Sequence, residues 1–119
     1  MICRILLATI TIALGVHIAN ARDGPVGLGE AIISCGRWSA DRKNYTQPAF
    51  SATDTAWLLG FISAFNLYML NVDDDVARSS DTRGMTAWID NYCAMHPLDS
   101  LESAAASLID ELVRRTGAH

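Results

Sequence analysis

The longest apolar run in the chain, Ala56 to Leu70, has no wet face when wound as a helix. A helix that is apolar all round is expected to be buried. The run falls short of the roughly 20 apolar residues that span a bilayer, so it is expected at the centre of a small helical core. Ala56, Gly60 and Ala64 recur every four residues as a stripe of small side chains along which another helix backbone would pass. Trp57, Phe61, Phe65 and Tyr68 add bulk on the neighbouring faces.

Three further segments show helical periodicity. Leu28, Ala31, Ile32, Cys35 and Trp38 recur at three and four, the pattern of one buried face of a first helix within Leu28 to Lys43, starting as late as Glu30. Its glycines, Gly29 and Gly36, lower its intrinsic propensity. Asn44 to Ala52, with Pro48 in the middle, reads as a loop, after which Thr53 or Asp54 is expected to cap the apolar helix. From Thr82 to His96, Met85, Trp88, Ile89, Tyr92 and Cys93 share a face, with Asp81 as the cap and Pro97 as the stop. The last helix is expected from an Asp99 cap, with Glu102 at the third position, to about Thr116. Its inward residues are Leu101, Ala104, Ala105, Leu108, Ile109 and Leu112. Arg114 and Arg115 suit the negative end of the helix dipole, and Gly117 supplies the stop.

The first 21 residues read differently. Arg4, the apolar run Ile5 to Ile18 and the small triplet Ala19-Asn20-Ala21 make a secretory signal peptide, with cleavage after Ala21 and an uncleaved anchor as the alternative. The working chain is then a single domain, residues 22–119, with an ordered core at about 30–116. It is expected to have no membrane segment after cleavage. Loss of Arg4 takes the formal charge from −4 to −5, a sign unsuited to nucleic acid.

Cleavage also removes Cys3 and leaves Cys35 and Cys93, an even pair that in an exported chain predicts one disulfide. Two free thiols, or a metal site completed by His96, are the alternatives. The loop so closed, of about 59 residues, corresponds to roughly 4 kcal/mol in the chain-entropy model. The fold class that follows is all-α, a small orthogonal bundle of about four helices stapled by one disulfide. The first and third helices are joined by the bond, and the second lies buried between its neighbours.

Chemistry-bearing motifs are sparse. The acidic stretch Asp73-Asp74-Asp75 does not continue as a calcium loop, because Arg78 stands where the sixth-position glycine belongs and Gly84 where the twelfth-position acid belongs. It reads as a solvated connection. No nucleophile elbow, zinc-protease helix or phosphate loop occurs in the sequence. Asp90 and Asp99 are the carboxylates within reach of His96, but their spacing does not require that they meet. The chain is therefore read as a non-enzyme, without cofactor or metal.

Two family resemblances are carried by specific strings. Trp88-Ile89-Asp90-Asn91-Tyr92-Cys93-Ala94-Met95-His96-Pro97, followed by Leu101, resembles the second-cysteine motif of the HdeA/HdeB-like periplasmic acid-stress chaperones. Ser34-Cys35-Gly36-Arg37-Trp38 resembles their first-cysteine segment, and Trp57 to Tyr68 lies where that family keeps its central helix. The resemblance implies a periplasmic protein, a homodimer at rest, which acid loosens so that its apolar surface holds unfolding clients. The candidates for the core or for client binding are Trp38, Trp57, Phe61, Phe65, Tyr68, Trp88 and Tyr92. Protonation of the carboxylates would carry the working chain from about −5 to about +10 and create self-repulsion. Gly60-Phe61-Ile62 and Tyr92 to Pro97, leading into Ala104-Ala105 and Leu108, are also similar to the Rap1a/Tai-type immunity proteins. That similarity implies tight binding of one toxin through a loop such as Val72 to Arg83.

Overall fold

The computed structural model describes residues 27–71 and 73–119, so the signal-peptide reading lies outside the described residues. A 3-10 turn, Gly29–Ile32, leads into four helices: α1 (Cys35–Arg42), α2 (Pro48–Met69), α3 (Thr82–Met95) and α4 (Leu101–Thr116). No strand occurs among the described residues; Ser34 and Ser100 form a single antiparallel bridge. It is closed by Cys35 N–H to the Asp99 carbonyl (2.7 Å) and Leu101 N–H to the Ile33 carbonyl (2.8 Å). This bridge registers the starts of α1 and α4 against one another.

Helix starts follow local capping chemistry. The Ser34 hydroxyl accepts from Arg37 N–H, Asp81 from Gly84 N–H and Ser100 from Ser103 N–H. Each satisfies a donor that the first turn leaves open. The Asp81 cap matches the sequence expectation. At α4 the cap is one residue later than expected, because Asp99 is held by the Tyr92 hydroxyl (2.7 Å) and Ser100 takes the capping place. The first α-helix is confined to Cys35–Arg42, and the glycine-bearing segment before it makes only the 3-10 turn. α2 starts at Pro48, which occupies the first turn instead of a loop. The ring fixes φ near its helical value and the missing N–H costs nothing there. Asp54, expected as a cap, therefore lies inside the helix. α4 ends at Gly117, whose φ of 68° is the left-handed stop that glycine adopts without strain.

The core is built chiefly from α1, α3 and α4. Cys35 and Trp38, Ile89 and Cys93, and Leu101 and Leu108 are buried together, with Leu58 and Ile62 reaching in from α2. The disulfide Cys35–Cys93 joins α1 to α3 with Cα atoms 4.7 Å apart. Val76, from the connection between α2 and α3, closes one end of the core.

The position of α2 corrects the expectation of a central helix. It packs on α1, α4 and the 3-10 turn, yet only Asp54, Leu58 and Ile62 of its 22 residues are fully buried. The stripe Ala56, Gly60 and Ala64 faces solvent, and a methyl group added at Gly60 would meet nothing within 4 Å. A helix this apolar calls for neighbours all round, and three other short helices do not suffice to surround it.

A candidate protein-binding face on the second helix

Four of the aromatic residues singled out above lie on α2, of which Trp57, Phe61 and Phe65 are half-buried against the edge of the core and Tyr68 is exposed. Trp57, Phe61, Ala64 and Tyr68 recur at four, three and four residues and so form one seam along the helix, with Phe65 beside it. Trp57 and Phe61 stack, with ring centroids 5.2 Å apart and planes inclined by 23°. The Trp57 indole N–H donates to the Leu28 carbonyl (2.8 Å), which fixes the upper end of the seam against the 3-10 turn. Further along, Phe61, Ala64, Phe65, Tyr68 and Met69 line a shallow dent of about 270 Å³. Beyond it Leu67 is 75% exposed, Tyr68 83% and Met69 69%. No charged side chain occurs from Thr55 to Asn71. Contiguous exposed apolar surface of this kind marks an interaction site in a folded protein.

The other sequence candidates lie elsewhere. Trp38 is wholly buried and donates its indole N–H to Asp90, so it is a core residue and offers no surface to a client. Trp88 and Tyr92 stack on each other along α3 at 5.6 Å, half-buried and separate from the α2 seam. The Tyr92 hydroxyl donates to Asp99, and this bond raises its pKa above the ordinary phenol value. His96 tilts over the Tyr92 ring at 4.6 Å. Asp90 is committed to Trp38 and Arg42, so it does not join Asp99 beside His96. Among the described residues no cluster of His, Cys, Asp or Glu is arranged to hold a metal ion, and no helix is long and apolar enough to cross a membrane.

The acidic connection beside the seam is pinned. The Asn66 amide donates to Asp75 Oδ1 (2.6 Å), and its oxygen accepts from Val76 N–H (3.1 Å). Asp75 Oδ1 also accepts from Ala77 N–H (2.8 Å), and Asp74 Oδ2 from His119 N–H (3.2 Å). Arg78 donates to the Thr116 carbonyl. The three aspartates therefore do not converge on one point.

At the opposite end of α2 lies a site that the sequence reading passed over. Asp54 is 1% exposed and its Oδ2 has no hydrogen-bond partner among the described residues. Burial, then the neighbouring Asp41 and Glu30 carboxylates, push its pKa up to about 6, with Arg37 acting in the other direction. Arg37 is itself paired with Asp41 and lies over the Phe50 ring at 5.5 Å. Its sequence signal is weak, because a carboxylate among Ser51, Thr53 and Thr55 just before the apolar run is equally expected of a helix cap.

No known protein family, curated protein or solved structure matches this chain. The α2 face therefore carries the functional reading on its own geometry.

Proposed function

We propose that this is a non-enzymatic, exported protein-binding module, an HdeA/HdeB-like acid-stress chaperone that holds unfolding proteins on the exposed face of α2. The observation that carries the reading is the uncharged surface from Trp57 to Met69. The folded chain exposes its Leu67, Tyr68 and Met69 end, and no charged residue occurs between Thr55 and Asn71. Sequence-tolerant binding of unfolded chains needs apolar area and few fixed polar contacts, and this face has both properties. The disulfide would hold α1 and α3 together while acid-driven charge repulsion loosens the rest.

The test follows client aggregation, hydrophobic-dye binding and sedimentation of the oxidised protein from pH 7 to pH 2. Wild-type protein is expected to suppress aggregation in acid, and a Leu67→Ser/Tyr68→Ser variant of unchanged helicity to lose most of that activity. Wild-type protein without holding activity at any pH overturns the reading.

A second reading, an immunity protein of the Rap1a/Tai type, is favoured by the pinned connection Asp73 to Asp81. Fixed backbone and side-chain geometry there suits one complementary partner better than many. Capture of a single periplasmic toxin, abolished by substitutions in this loop and not by those on α2, would select it.

A further inference from the structure

Three elements meet at Asp54, and each brings a carboxylate. Glu30 comes from the 3-10 turn, Asp41 from α1 and Asp54 from α2. Asp54 is 1% exposed and Asp41 6%. Among the described residues the cation facing them is Arg37 of α1, and its guanidinium is already shared between Asp41 and the Phe50 ring. When all three acids are ionised, the described residues of the junction hold three negative charges against one positive, and the Asp54 Oδ2 has no donor among them. Uncompensated burial of this kind is costly. A proton on Asp54 changes both conditions. It removes the buried charge and its repulsion of Asp41, and it turns the carboxyl into a donor beside the Glu30 carboxylate.

We propose that Glu30, Asp41 and Asp54 form a proton-operated clasp that fastens the 3-10 turn and α1 to α2 in mild acid and slackens towards neutral pH. The clasp is coupled to the α2 seam through neighbouring atoms. Trp57 lies one helical turn beyond Asp54, and its indole N–H is bonded to Leu28, two residues before Glu30. Slackening at Asp54 frees the Trp57 end of the seam, and closure secures it. This direction is opposite to ordinary acid denaturation, and it holds whether or not α2 binds clients.

The sign follows from the proton balance. The folded state keeps the Asp54 proton up to about pH 6, whereas the unfolded chain releases it near 3.8. Between those values the folded state binds more protons, so this site loses stability as pH rises and has its full cost above about 6. Two pKa units correspond to roughly 100-fold in the unfolding equilibrium.

The experiment compares urea unfolding of the full oxidised chain with that of Asp54→Asn, from about pH 4.5 to 7.5. Relative to the variant, wild-type protein is expected to become roughly 30-fold easier to unfold across that range, the part of the full effect that lies above pH 4.5. Parallel profiles overturn the proposal. Hydrogen exchange of the Trp57 indole N–H tests the clasp itself. Its protection factor should fall between about pH 5 and 7 in wild type and stay constant in Asp54→Asn. A constant protection factor in wild type also overturns it. Should the variant fail to fold, carbon-detected titration of the Asp54 carboxyl in wild-type protein decides. A midpoint near 6 supports the clasp, and one below about 4.5 rejects it.

Discussion

Trp38 on α1 donates its indole N–H to Asp90 on α3 at 2.7 Å, across 52 residues of sequence. The same carboxylate accepts two bonds from Arg42, at 3.0 and 2.9 Å, and Arg42 lies 5.7 Å from the centre of the Trp38 ring. One aspartate thus satisfies a buried indole and anchors the end of α1. These bonds raise the Arg42 pKa above its ordinary value and so keep its charge fixed.

Asp90→Ala should therefore destabilise the fold by about 2–3 kcal/mol, because it leaves the Trp38 N–H without an acceptor as well as removing the ion pair. Asp90→Asn keeps one acceptor oxygen and should cost about half as much. Urea midpoints with matched m-values measure both.

The disulfide spans 58 residues of sequence between α1 and α3, and its removal should cost on the order of 4 kcal/mol. Cys35→Ser/Cys93→Ser is expected to lower the melting temperature steeply. Reduced wild-type protein should unfold at the same temperature as the double variant. Calorimetry of the three species is the check.

Acid should act on a second site with the reverse sign to Asp54. Hydrogen bonds from Arg114 and Arg115 hold the Glu111 carboxyl below its ordinary pKa of 4.5. Its contribution is complete above that value and is lost as pH falls through the depressed one. Stability is therefore expected to peak in mildly acidic solution, with Asp54 shaping the neutral side and Glu111 part of the acid side. Glu111→Gln should flatten the acid side and leave the neutral side unchanged, as read from melting temperature against pH.

Asn66 supports the acidic connection through both ends of its amide. Asn66→Ala is expected to cost about 1–2 kcal/mol. Amides of Val76 to Ser80 should exchange faster while those of α3 and α4 keep their protection, measured by hydrogen exchange.

The two amphipathic helices were legible in the sequence because their signals are local. α3 and α4 carry a clear apolar face, and Asp81 and Gly117 mark two of their ends with residues whose geometry permits little else. The cysteine pairing was legible as well, from an even count in a chain read as exported. α2 was legible as a helix but not in its placement. Its hydrophobicity reports a demand for cover, whereas its exposure depends on how many other elements the chain owns. Pro48 misled for a related reason, since proline marks loops and first turns alike. Of the candidate site, Trp57, Phe61, Phe65 and Tyr68 were named from sequence and lie together. Trp38 is buried, as its place on the apolar face of the first helix predicts, but its bond to Asp90, 52 residues away, has no local signal. The Asp54 junction depends on three separate elements, and so the sequence order of Glu30, Asp41 and Asp54 gives no hint of it.

The Cys35–Cys93 bond also settles what a protease cut would do. α2 and the acidic connection lie between the two cysteines, whereas α4 lies outside them. A nick anywhere between Asp73 and Asp81 leaves both fragments covalently joined. The nicked chain therefore migrates as one species until a reductant separates it. Within this ring α2 is fastened at both ends, so a cut in the connection cannot release it from the rest of the chain.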